Sequence, residues 1–120
     1  MGEVHIIGEI NGLGAILLPI IEQNLDNPQR MKKLVNLTGS LTATEKTTGV
    51  CVTIIFDKGK ISLKDGEVNK PTASLWTDFD TVAAYSCGEM SAVKGVLTGR
   101  IRVRGNLLKL LKMAPIVRSD

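Results

Sequence analysis

Residues 50–63 place the strongest limit on what this chain can fold into. Val50, Val52, Ile54 and Phe56 alternate with Cys51, Thr53, Ile55 and Asp57, and a period of two sends alternate side chains to opposite faces of a strand. One face is apolar and demands a core, while the other is mixed. Asp57-Lys58-Gly59-Lys60 then reads as a short hairpin loop with glycine where φ must be positive. Ile61 and Leu63 continue as the antiparallel return strand, which Asp65-Gly66 closes. A hairpin with one apolar face is not stable alone, so it needs further strands and a covering layer.

The covering layer is legible upstream. Leu13, Ile16, Leu17, Ile20, Ile21 and Leu25 recur at helical spacing, with Glu22, Gln23 and Asp26 on the other face. Pro19 lacks a backbone donor and predicts a kink or a fresh turn there. Asn27-Pro28 opens a second helix, the asparagine as N-cap and the proline at the first helical position. Residues 37–45 are Thr-rich and read as a strand, and another covers residues 72–77. Asp78 or Asp80 caps a helix that stops at Gly88, and Ser91 to Leu97 form a shorter one. Gly99 opens a fifth strand, and Asn106 caps a last helix that Pro115 ends. Residues 1–12 show no period and read as a loosely ordered segment. Strands cluster instead of alternating with helices, so the expected class is α+β, in one domain over residues 1–120.

Composition decides what fills this core. Aromatic residues are 3% of the chain against 43% hydrophobic overall, so the interior is built from Leu, Ile, Val, Ala and Met, with few rigid platforms. The longest apolar run, Leu13 to Ile21, is nine residues and falls short of the roughly twenty that span a bilayer. Glu3 and Glu9, with no early Lys or Arg, argue against a secretory signal. The last four residues, Val117 to Asp120, are not a peroxisomal address. Cys51 and Cys87 are too few for a disulfide framework and fit a reducing compartment. The expected location is the cytoplasm.

Catalytic chemistry finds little support. His5 is the only histidine and sits in the unpatterned N-terminal segment, a poor place for a positioned base. Two cysteines 36 residues apart and one histidine have no metal-ligand spacing. Gly8, Gly12 and Gly14 form no phosphate-loop motif. No catalytic residue, metal or cofactor is expected. Arg100, Arg102 and Arg104 repeat every second residue, which puts them on one strand face. That stripe reads as a solvated face, or as a transient contact with anionic lipid head groups. Nucleic acid is not an expected partner, because no aromatic residues cluster beside the stripe.

The C-terminal third carries a resemblance. Thr72 to Trp76, then Gly88-Glu89-Met90-Ser91, then Leu97-Thr98-Gly99-Arg100-Ile101-Arg102-Val103-Arg104-Gly105-Asn106 with its Leu-rich helix resemble the type-two sterol carrier protein domain. The likeness covers roughly residues 14–114. It implies a five-stranded, mostly antiparallel sheet with helices over one face, enclosing an apolar tunnel for a fatty acyl chain, acyl-CoA or sterol. It implies no catalytic residues. Pro19 and the missing peroxisomal tail depart from the family pattern.

Resemblance and periodicity together give the expected ligand contacts. The first helix supplies Leu17, Ile21 and Leu25, and the hairpin supplies Val52, Ile54 and Phe56. Leu75, Phe79 and Val82 follow, then Met90, Val93 and Leu97. The last strand and helix add Ile101, Val103, Leu107, Leu111 and Met113. Periodicity alone favours a plain packed core over a cavity, and the alternative function is a structural or regulatory interaction module of a lipid-pathway complex that holds no ligand.

Overall fold

A computed structural model describes residues 4–8 and 12–118. Its strands are β1 (Val4–Ile7), β2 (Thr38–Glu45), β3 (Cys51–Asp57), β4 (Lys60–Asp65), β5 (Ala73–Thr77) and β6 (Arg102–Gly105). Its helices are α1 (Gly12–Leu25), α2 (Pro28–Leu34), α3 (Phe79–Ser86), α4 (Ala92–Leu97) and α5 (Leu107–Met113), followed by a 3-10 turn over Ala114–Val117. The class is α+β, but the sheet differs from the expected one. It has six strands in the order β1-β4-β3-β2-β5-β6. It is mixed, because β1 pairs with β4 and β2 with β5 in parallel.

The sixth strand is β1, inside the segment expected to lack order. Val4 lies opposite Ile61 and Ile6 opposite Leu63. A four-residue edge strand leaves no period to read, and its partner is remote in the chain. The β2–β3–β4 meander is antiparallel as the alternation requires, with Phe56 opposite Ile61 and Ile54 opposite Leu63. Val52, Ile54, Phe56, Ile61 and Leu63 all point to the helical side and are buried.

α1 covers that side. Leu13, Leu17, Ile21 and Leu25, each four residues apart, are at most 3% exposed, and the helix packs on β3 and β4. It runs unbroken through Pro19, whose ring is on the exposed side, so no new helix starts there. The C-terminal turn closes the layer. Asn24 donates through its side-chain amide to the carbonyl of Ile116. Arg30 donates to Asn24 Oδ1 at 2.7 Å and to the carbonyl of Arg118 at 2.9 Å. These two polar residues, which no apolar pattern reveals, bind the chain end to α1 and α2.

On the opposite face of the sheet, the helix contacts among the described residues give way to polar side chains. Thr42 and Thr53 share a hydrogen bond there at 2.8 Å, and the Arg104 guanidinium lies 5.9 Å from the centre of the Trp76 ring.

Candidate functional site

Between the sheet and its helices lies a cleft that exposes only apolar atoms and holds about 70 Å³. Its floor is Leu41 and Ala43 of β2, Ile54 of β3, and Leu75 and Thr77 of β5. Leu13 and Leu17 of α1, and Val82 and Tyr85 of α3, form two of its walls. Ala92 and Val96 of α4, Ile101, and Leu107 and Leu111 of α5 also line it, as do Thr44, Glu45, Thr81, Leu110, Ala114 and Val117. The floor is deep, with Leu41 and Ile54 at 2% and 1% exposed, whereas Leu107 and Leu111 are 46% and 38% exposed. Exposure therefore locates the mouth at α5.

Polar groups at the wall are turned away and satisfied. Glu45 lines the cleft with its stem, while its carboxylate accepts from the Thr48 backbone N–H at 2.8 Å, the Thr48 hydroxyl at 3.0 Å and the Thr47 N–H at 3.1 Å. Burial works to raise its pKa, but the bonds from Thr48 and Thr47 outweigh that and hold it below the ordinary value of 4.5. Thr77 donates to the carbonyl of Arg100 at 3.0 Å, and Arg100 Nε donates to Thr81 Oγ1 at 3.2 Å. The loop before β6 is thereby tied to β5 and α3. Asp78 caps α3 by accepting from Thr81 N at 2.7 Å. Bonds from the Thr81 side chain and backbone, then the nearby Lys46 and Arg100 charges, prevail over burial and hold the Asp78 pKa below its ordinary 3.8.

Both carboxyl pKa values are lowered by folding, so the folded state favours the ionised forms. That stabilisation is complete above the unfolded values near 4 and is lost as pH falls through the lower folded ones. Urea midpoints are thus expected to fall on acidification below about pH 4. Asp78→Asn keeps a capping side chain but removes its titration, and should flatten that acid limb. An unchanged limb in this variant would remove Asp78 from the explanation.

The structure sorts the expected contacts into three groups. Leu17, Ile54, Leu75, Val82, Ile101, Leu107 and Leu111 line the cleft. Ile21, Leu25, Val52, Phe56, Met90 and Met113 are buried elsewhere, and Val103 packs half-buried against the core. Phe79, Val93 and Leu97 are exposed, the last at 80%. The cause in α4 is Gly95, which is buried and where a Cβ would come 2.4 Å from Ile101 Cδ1. Ile101 needs that bare position, which turns Ala92 and Val96 inward and Val93 and Leu97 outward. In α3, Thr81 and Tyr85 take the inward positions and leave Phe79 at the exposed first turn. Sequence reasoning missed Leu13, Leu41, Ala43 and Tyr85 as lining residues. For Leu41 and Ala43 the signal was the loose alternation of residues 37–45.

The arginine stripe is also divided. Arg100 precedes β6 and is engaged with Thr81, while Arg102 and Arg104 lie on β6 opposite Trp76 and Ser74. His5 is on β1, outside the lining. Burial, then the carboxylates of Glu67 and Asp65, push the Cys51 thiol up, away from the thiolate that a nucleophile requires. Among the described residues no three His, Cys, Asp or Glu side chains are grouped to hold a metal. Nor is any helix among them long and apolar enough to cross a membrane.

A mixed sheet is thus backed by helices, with a cleft between them whose exposed atoms are apolar. Residues 19–118 match the SCP-2 sterol transfer family, and the chain belongs to that family. No curated protein sequence matches it significantly. Solved structures share the fold at low identity. A ubiquinone synthesis protein, UbiJ-SCP2, superposes with TM-score 0.70 at 10% identity, over 88% of this chain and 92% of that one. Sterol carrier protein 2 from Yarrowia lipolytica in its apo form gives 0.64 at 16% identity, over 93% and 98%. The inverting sec-alkylsulfatase Pisa1 from Pseudomonas sp. gives 0.67 at 14% identity, over 75% of this chain. The match spans only 14% of that much longer enzyme.

Proposed function

We propose that this domain takes up one fatty acyl, acyl-CoA or sterol-like lipid in the cleft and carries it through the cytoplasm without catalysing a reaction. The observation that carries this reading is a cleft without a polar atom on its surface, in a member of a sterol transfer family. Such a site holds its ligand by desolvation, at about 25 cal/mol per Å² of apolar surface buried. At about 70 Å³ the cleft is too small for a lipid, since small-ligand sites begin near 300 Å³. Uptake therefore requires its outer wall to move. The short helices α4 and α5 form that wall, and aliphatic side chains repack with little penalty.

Titration with a fluorescent fatty acid or acyl-CoA should saturate near one ligand per chain with a Kd of about 1 µM or tighter. No binding of acyl chains, acyl-CoA or sterols would sink the proposal. The small volume favours a second reading, in which the cleft is ordinary core and the domain recruits a protein of a lipid pathway. Native mass spectrometry of protein purified from its own host separates the two, because only a carrier retains a co-purifying lipid.

A further inference from the structure

The face of the sheet opposite the core carries a groove of about 300 Å³, the size at which small-ligand sites begin. The chain between β4 and β5 creates it. Those two strands are separated in the sheet by β3 and β2, so residues 66–72 cross over both. Thr53 fixes the start of the crossing by donating to the Gly66 carbonyl at 2.8 Å, and at its end Ser40 N donates to Thr72 Oγ1 at 3.0 Å. Between these anchors Lys70 is held at φ +54°, a left-handed conformation uncommon for a residue with a side chain. Val68 and Pro71 of the crossing form one wall of the groove, and side chains of β2, β5 and β6 complete it.

The polar groups around this groove are not spent on one another. Thr53 gives its hydroxyl hydrogen to Gly66, so in its 2.8 Å bond with Thr42 the donor is Thr42. Thr42, which lines the groove, has only acceptor capacity left. Glu67 and Arg104 also line it, yet among the described residues no ion pair joins them. Nor does any hydrogen bond among those residues engage the Glu67 carboxylate, the Ser74 hydroxyl or the Trp76 indole N–H. The Arg104 guanidinium lies 5.9 Å from the centre of the Trp76 ring, and Arg102 is the register partner of Trp76 on the same face. An indole beside a guanidinium offers π surface to a planar ring. Two arginines favour an anion, while Glu67 and Thr42 call for N–H donors. A neutral sugar would leave the arginines unpaired, and an inorganic anion would leave Trp76 and Glu67 unused. A nucleotide supplies the planar ring, the N–H edge and the charge together.

We propose that this groove binds a nucleotide, with the base stacked on Trp76, its N–H edge toward Glu67 and its phosphate on Arg104 and Arg102. The site is separate from the apolar cleft, on the other face of the sheet, and shares only Thr44 with its lining. It does not depend on the lipid-carrier reading. Two sources carry this chemistry, a free nucleotide and the nucleotide end of CoA.

Trp76 is the only tryptophan of the chain, so its fluorescence reports this groove directly. Titrating the full chain with AMP should quench that fluorescence to saturation, with a Kd of about 100 µM or tighter. Adenosine, which lacks the phosphate, should bind about tenfold more weakly, and ribose phosphate, which lacks the base, should leave the fluorescence unchanged. Arg102→Ser with Arg104→Ser should weaken AMP about tenfold, to the level of adenosine, without altering adenosine itself. Trp76→Leu, followed by calorimetry, should cost AMP about tenfold. Circular dichroism should be unchanged in the arginine variant, because both side chains are exposed. Tighter binding of CoA than of AMP assigns the groove to the nucleotide end of CoA, and equal or weaker binding assigns it to a free nucleotide. Absence of quenching by both AMP and CoA overturns the proposal. So does equal AMP affinity in wild type and arginine variant, or quenching by maltose as strong as by AMP.

Discussion

Ala43→Leu is expected to close the cleft to ligand while leaving the fold intact or firmer. Ala43 is 8% exposed at the centre of the floor, opposite Val52 on one side and Leu75 on the other. Its added atoms would occupy the void of about 70 Å³. Filling that void is worth at most about 2 kcal/mol, at roughly 24 cal/mol per Å³, so the urea midpoint should hold or rise. Fatty-acid affinity should fall about 100-fold, equivalent to about 2.7 kcal/mol or to burying roughly 110 Å² less apolar surface. Unchanged affinity in a well-folded variant would place the ligand somewhere other than between α1 and β2. If the domain is an interaction module, the same change would stabilise it without functional loss.

The second large effect is one of stability, at Gly105. Its φ is +96°, and an added Cβ would come 2.6 Å from the Thr72 carbonyl oxygen and 3.0 Å from Ala73 Cα. Both are backbone atoms at the entry to β5 and cannot rotate aside. The next residue is equally committed: Asn106 N donates to Thr72 O at 3.0 Å, and the Asn106 side chain caps α5 through Lys109 N at 3.0 Å. Gly105→Ala should therefore lower stability by about 3 kcal/mol, from left-handed strain and overpacking together. It should also loosen α5 at the cleft mouth. Gly66→Ala is the control, with φ +86° but nothing within 4 Å of the added Cβ, and should cost about 1 kcal/mol. Equal losses at the two sites would show that contact with β5 contributes nothing.

Local signals made much of this molecule readable. Alternation over residues 50–63 is observed as the β3–β4 hairpin. Asn27, Asp78, Ser91 and Asn106 each accept from the backbone at the start of a helix, since a cap is decided within four residues. Features decided across the fold were not readable. The phase of α4 depends on Ile101 filling the space over Gly95, and six residues are too few to establish a phase alone. β1 takes its place from β4, not from its own pattern. Asn24 and Arg30 act on carbonyls more than eighty residues away, and polar residues carry no period that announces such a bond. The volume of the cleft was likewise invisible, because a packed core and a ligand site share one apolar pattern.

The parallel pairing of β1 sets a timetable for synthesis. Val4 cannot meet Ile61 until about 57 further residues have been made, an interval of roughly 3–11 s at 5–20 residues per second. Meanwhile the β2–β3–β4 meander can close through short turns, whose contacts form early. β1 is therefore expected to dock onto an existing sheet, adding its edge last on that side. Until then its apolar residues have no strand beside them, and Ile6 and Ile7 remain 40% exposed even in the finished fold. A nascent chain of this kind is most exposed to wrong pairing at the segment it makes before any of its sheet.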